Sequence, residues 1–172
     1  NPAEDIESHE NYSTKPALQA SFSMFRNSFD SDPAGETTLA QLAADIRFGR
    51  WQDRVIRLRA IAEEYSQNKR NLPAVAFGGI FNRRKKDALV KASGLVVLDI
   101  DHVAWKVSEI KGKLTADRHT ALCFVSPSGA GLKAVFHAEF TDDATFKQAW
   151  RAIADCFKQT HGITLDPTGK DI

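Results

Sequence analysis

The stretch "GLVVLDIDHV" closes a run of aliphatic residues with Asp99 and Asp101, separated only by Ile100. Strand side chains alternate between faces, so Val97, Asp99 and Asp101 share one face while Val96, Leu98 and Ile100 share the other. Neighbouring carboxylates repel each other unless one is protonated or a cation lies between them. Asp-x-Asp at a strand end therefore reads as a holder for Mg²⁺ or Mn²⁺. A plainer alternative is an exposed strand end whose carboxylates cap a helix starting near His102.

A second candidate is "SPSGAGLK", which contains Ser126, Ser128, Gly129, Gly131 and Lys133. Glycines let backbone N–H groups turn toward an anion, and the serines and lysine add donors and charge. The spacing is not that of a Walker A loop, and no helix follows the lysine. By itself the segment also fits an ordinary hairpin loop. Beside a carboxylate pair, triphosphate binding is the better account, with metal on one side of the phosphates and the loop on the other.

Both motifs must be held by the elements around them. "GLVVLDID" reads as a strand, and "AWKVSEIKGKL" as a helix burying Val107, Ile110 and Leu114. "TALCFVS" and "LKAVFHAEF" are strands parted only by "PSGAG". "DDATFKQAWRAIADCFKQTH" places Phe146, Trp150, Ile153 and Phe157 at helical spacing, and "ITLD" is a last strand. The order βαββαβ is the ferredoxin-like, or RRM-like, arrangement, with sheet order 4-1-3-2. That topology predicts an open sheet face carrying Lys133, Val135 and His137 beside Asp99 and Asp101, with Thr164 and Asp166 outward on the fourth strand. Ile163 and Leu165 then point inward. Asp99, Asp101 and Asp166 are expected to share a cation.

Upstream, "ALQASFSMF" reads as a strand broken by "SFDSDPAGE". Thr38 and Gln41 fit a capping box opening a helix with Leu39, Leu42 and Ile46, which Gly49 ends. A second helix carries Val55, Leu58, Ala62 and Tyr65 on one stripe. "LPAVAFGGIF" reads as a strand and "RRKKDALVKA" as a basic turn or short helix. The expectation is an α+β chain: an N-terminal α/β module over residues 1–91 and an RRM-like catalytic palm over 92–172, together one catalytic unit.

Composition agrees with a globular chain, at 172 residues, 42% hydrophobic and 26% charged. No apolar run reaches membrane-spanning length, and "NPAEDIESHEN" lacks the pattern of a signal peptide, so the cytoplasm is the expected compartment and no membrane partner is expected. Cys123 and Cys156 read as small core residues. Net charge is +1, yet residues 47–91 hold twelve Lys or Arg against four Asp or Glu. "RFGRWQDRVIRLR" and the cluster Arg83, Arg84, Lys85 and Lys86 are candidate phosphate-backbone contacts, with solvated helix faces as the plainer reading.

"LPAVAFGGIF", "SGLVVLDIDHV", "FVSPSGAGLK" and "LDPTGKD", in this order, resemble the archaeo-eukaryotic primase, or primase-polymerase, superfamily, and within it the VirE N-terminal-like branch of mobile-element replication proteins. The resemblance implies Asp99 and Asp101 as the first metal motif, Asp166 as the third, and Ser126 to Lys133 as the motif contacting the incoming nucleotide. It implies two Mg²⁺ or Mn²⁺ ions, nucleoside triphosphates, a single-stranded DNA template, and a helicase domain or partner in the full-length protein. Lys133 stands where many members have a histidine. The branch usually continues past the position of Ile172 into another strand, so a catalytic unit truncated at its C-terminus is expected.

Two rivals differ in class. A haloacid-dehalogenase-like phosphatase would use "VVLDID", "CFVS" and Lys133, but it needs parallel strands joined by long crossovers, and "PSGAG" is too short. A non-polymerising nucleic-acid-binding or initiator module suits the basic segment equally, although an unused anion cluster would repel DNA.

Overall fold

A computed structural model describes residues 15–163 and residue 165. Along the chain, α1 (Lys15–Leu18) leads into β1 (Ser21–Phe25) and β2 (Gly35–Thr38), followed by α2 (Leu39–Arg47), α3 (Gln52–Ala60) and α4 (Tyr65–Asn68). Short strands β3 (Ala74–Ala76), β4 (Gly79–Phe81) and β5 (Leu89–Ala92) precede β6 (Leu95–Ile100) and α5 (Val107–Ala116). Strands β7 (Thr120–Val125) and β8 (Leu132–His137) form a hairpin, and α6 (Asp143–His161) closes the described chain. The architecture is mixed α+β, built from small antiparallel sheets.

Strand β8 lies between β6 and β7 and runs antiparallel to both. Consequently β6 and β7 are parallel to each other, and α5 is the crossover that parallel neighbours require. This is the order expected for the first three strands of the βαββαβ reading. The expected fourth strand, including Asp166, falls largely outside the described residues; Ile163 and Leu165 are described, and both pack inward as anticipated.

Alternation on β6 puts Val96, Leu98 and Ile100 against Ile110 and Leu114 of α5 and Phe146, Trp150 and Phe157 of α6. Burying one such side chain contributes about 1.5–3 kcal/mol. Asp142 fixes the start of α6 through a reciprocal capping box with Thr145, and Gly162 ends it in a left-handed conformation at φ 69°. The box predicted for α2 is half formed. Thr38 accepts from the Gln41 N–H at 3.2 Å, whereas the Gln41 side chain turns to Asp45 at 2.9 Å.

The other sheet face differs from the expectation of an open surface. Leu95 and Val135 are fully buried there, in a second core with Ala17, Phe22, Leu39, Leu42 and Phe77. Upstream elements roof this face because its residues are aliphatic as far as Val97, and aliphatic surface is stable only when covered. Ser23 extends the roof, its hydroxyl accepting from the Phe81 N–H at 2.9 Å and so tying β1 to β4.

"LPAVAFGGIF" forms two strands, not one, separated at Phe77 and Gly78. Gly79 sits so close to β5 that a Cβ there would lie 2.2 Å from the Lys91 carbonyl oxygen. The basic stretch after it becomes a single 3₁₀ turn, Lys86–Ala88, leading into β5. Cys123 is half-buried in β7, but Cys156 is exposed on α6, contrary to its reading as a core residue. Among the described residues no helix is long and apolar enough to cross a membrane.

Candidate functional site

Asp99 and Lys133 are direct cross-strand partners on β6 and β8, and Phe124 of β7 is the partner of Lys133 on its other side. The three form one row across the sheet, just beyond the buried residues Leu95 and Val135. Lys133 Nζ makes an ion pair with Asp99 Oδ1, and neither side chain is more than one-third exposed, at 27% and 33%. An ammonium between two strands thus balances the carboxylate that the alternation pattern puts on this face.

Asp101 lies just past the end of β6 and is exposed. His102 then adopts a left-handed conformation, φ 59°, which turns the chain so that the Val103 N–H donates to the Ala130 carbonyl at 3.1 Å. The turn seats Asp101 over the glycine loop. A Cβ on Gly131 would lie 2.8 Å from the Ile100 carbonyl oxygen, 3.0 Å from Asp101 Oδ1 and 3.3 Å from Ser126 Oγ. Glycine is required at this crossing because both the strand end and the Asp101 carboxylate use the space.

Internal hydrogen bonds define the loop. The Ser126 N–H donates to the Gly131 carbonyl and the Gly129 N–H to the Ser126 carbonyl, each at 2.9 Å. The two serine hydroxyls lie 2.8 Å apart, and Ser128 Oγ also accepts from the Ala130 N–H at 3.2 Å. Gly129 has φ 80°, in the left-handed region. Ser126 is buried and Ser128 is exposed, so Ser126 braces the turn while Ser128 lies at its surface.

Above this row is a cavity of about 870 Å³ between the sheet and the upstream elements. Its lining includes Asp99, Lys133 and five further cations: Arg47, Arg59, Lys69, Arg70 and Arg84. Asp99 is the one carboxylate among the lining residues, so the cavity is strongly electropositive. Leu42, Ile46, Trp51, Val97 and Phe124 supply an apolar wall. A ligand that is polyanionic at one end and planar and apolar at the other matches such a lining.

The predicted basic cluster is divided by the fold. Arg84 lines the cavity, donating from Nη1 to the Ser28 carbonyl at 2.9 Å with its guanidinium 5.4 Å from the Phe25 ring centre. Lys85 and Lys86 line a neighbouring cleft of about 300 Å³. Arg83 faces Asp32 at 3.6 Å, both side chains largely exposed. Arg47 and Arg59, the two ends of the basic stretch "RFGRWQDRVIRLR", line the cavity, whereas Lys69, Arg70 and the apolar wall carry no mark in the sequence. The charge density was the available signal; which arginines turn inward depends on the roof.

Asp166 lies outside the described residues. Among the described residues no group of three or more His, Cys, Asp or Glu is arranged to hold a metal ion. Asp99 and Asp101 remain as two hard oxygen donors at one strand end. That set fits Mg²⁺ or Mn²⁺, which proteins commonly bind through one or two carboxylates, with water and substrate phosphates completing the shell.

Residues 67–172 match the family model described as "BT4734-like, N-terminal domain". The match covers more than half of the chain, which belongs to that family. No curated protein and no solved structure matches.

Proposed function

For this member of the BT4734-like N-terminal domain family, we propose a primase-polymerase-like nucleotidyl transferase that makes or extends primers on a single-stranded template in mobile-element replication. The observation that carries the reading is the row of Asp99 and Lys133, with Asp101 over the glycine loop, beneath a cavity lined by arginines and lysines. The β6-α5-β7-β8-α6 order, followed by inward-packed Ile163 and Leu165, supports an RRM-like palm. Resemblance of the motifs to the VirE N-terminal-like branch agrees with it.

In this reading a primer 3′-oxygen attacks the α-phosphorus of a nucleoside triphosphate, and pyrophosphate leaves. Asp99 and Asp101, with Asp166, would hold Mg²⁺ or Mn²⁺, which lowers the pKa of the attacking hydroxyl and neutralises the triphosphate. Lys133 sits where it can pass from Asp99 to a phosphate oxygen. The exposed Ser128 hydroxyl offers a neutral donor to the same group, and Arg47, Lys69, Arg70 and Arg84 supply the positive field that a template backbone needs near carboxylates.

One observation favours a second reading, a nucleic-acid-binding or initiator module without polymerisation. Lys133 already neutralises Asp99, so the row need not repel a phosphate backbone. A phosphatase of the haloacid-dehalogenase kind has no such support, since β7 and β8 are antiparallel and joined by a short loop.

The deciding experiment is a gel assay for template-dependent primer formation with Mg²⁺ or Mn²⁺, run on the parent chain and on Asp101→Asn. Product with the parent and loss of at least about 100-fold in the variant are expected. Single-strand binding without product in either metal would favour the binding module.

A further inference from the structure

Part of the wall facing the glycine loop comes from residues that precede the matched region. Helix α3 is anchored by Leu58, which is buried, and its next residue is Arg59 at the rim of the cavity. From there the Arg59 side chain reaches the loop itself. Its Nε donates to the Pro127 carbonyl at 2.8 Å and an Nη donates to the Ser126 carbonyl at 3.4 Å. The guanidinium also lies against Gly129, where a Cβ would stand 3.5 Å from Cζ.

These contacts have a chemical logic. Ser126 and Pro127 open the turn, and their carbonyl oxygens would otherwise carry negative partial charge toward the cavity. A guanidinium covers both oxygens at once because its donors are fixed in one plane, which an ammonium cannot imitate. Covering them orients the turn, since the Ser126 carbonyl also accepts the Gly129 N–H that closes it. The glycine at position 129 permits the left-handed φ that the turn requires.

We propose that Arg59 is a positioning residue that locks the 126–131 loop into its phosphate-receiving shape, which makes α3 part of the functional unit. The identity of the received group rests on the nucleotidyl-transfer reading; the lock itself does not. A competing role for Arg59 is simple attraction of phosphate by charge, and lysine separates the two, keeping the charge while losing the planar pair of donors.

The test compares the full chain with Arg59→Lys and Arg59→Ala. Without ligand, hydrogen exchange at the Ser126 and Gly129 amides should rise about tenfold in both variants, the size expected from losing a charge-assisted hydrogen bond, while β6 amides stay protected. Mn²⁺–nucleoside triphosphate affinity should fall about tenfold in both. Unchanged loop exchange in either variant overturns the lock, as does an Arg59→Lys protein that binds triphosphate like the parent. If the parent fails to bind triphosphate, the nucleotidyl-transfer reading falls, and loop exchange alone still decides for or against the lock.

Discussion

Lys133 and Asp99 face each other across β8 and β6 and share an ion pair at the floor of a cavity whose other charged lining residues are all cations. The pair is partly exposed, so its contribution to stability is small, on the order of 0.2–1 kcal/mol. Its weight lies in what either partner does when an anion or a cation arrives.

Lys133→Ala should therefore weaken triphosphate binding at least tenfold and binding of the matching nucleoside less than twofold, because an ammonium contacts phosphate and not base. Divalent-ion affinity without nucleotide should hold or rise, since Asp99 loses a competing cation. Calorimetry with both ligands and with Mn²⁺ reads all three effects, and equal losses for nucleoside and triphosphate would make Lys133 a structural residue only.

Two glycines give opposite expectations. Gly131→Ala inserts a methyl group 2.8 Å from the Ile100 carbonyl oxygen and should cost about 1–3 kcal/mol while displacing Asp101. Gly112 lies inside α5, where an added methyl group would meet nothing within 4 Å, and its change to alanine should gain about 0.5–1 kcal/mol. Urea denaturation of both variants checks the signs.

The split of the basic cluster can be read from salt dependence. Arg84→Ser removes a cavity-lining cation and should lower the log-log slope of single-strand binding by about 0.7, the value for one phosphate contact. Arg83→Ser, out beside Asp32, should leave the slope unchanged. Fluorescence anisotropy at several salt concentrations separates them; identical slopes in both variants would move the strand away from this cavity.

Acid should act on the start of α6. The Thr145 backbone N–H, and after it the Thr145 hydroxyl, hold the Asp142 carboxyl below the ordinary aspartate value of 3.8. A depressed carboxylate stabilises the fold above its unfolded pKa, and the effect fades as pH falls through the folded value. Asp142→Ala should lower Tm by about 3 °C, constant from about pH 7 to 5, with the gap closing only below 3.8. A gap that closes already between about pH 7 and 5 would contradict the cap.

Periodicity made much of this fold legible. Val96, Leu98 and Ile100 alternate as a strand must, and Phe146, Trp150, Ile153 and Phe157 repeat as a helix must, so both flanks of the helix-covered core could be read directly. The same stripe places Cys156 about 100° from Phe157, off the buried face, which the residue-type reading of cysteine overrode. The roof was harder to see. Leu95, Val97 and Val135 alternate identically whether the second face meets solvent or another layer, and only tertiary contacts distinguish these cases. Asp99, Asp101 and the glycine loop carried their own chemistry in residue type and spacing. Arg59 did not, because its partners Ser126 and Pro127 are far along the chain and the contact depends on where α3 comes to rest.

The roofed sheet face also bears on how this family can be handled as a piece. Cutting at residue 67, where the family match begins, would remove Phe22, Leu39 and Leu42 and uncover part of the face formed by Leu95, Val135, Leu122 and Phe124. Of the roof, such a fragment would keep only Val75 and Phe77, leaving an apolar surface sticky toward its own copies. The boundary drawn by sequence similarity and the boundary of the second core are different lines on this chain, the second reaching upstream to Ala17.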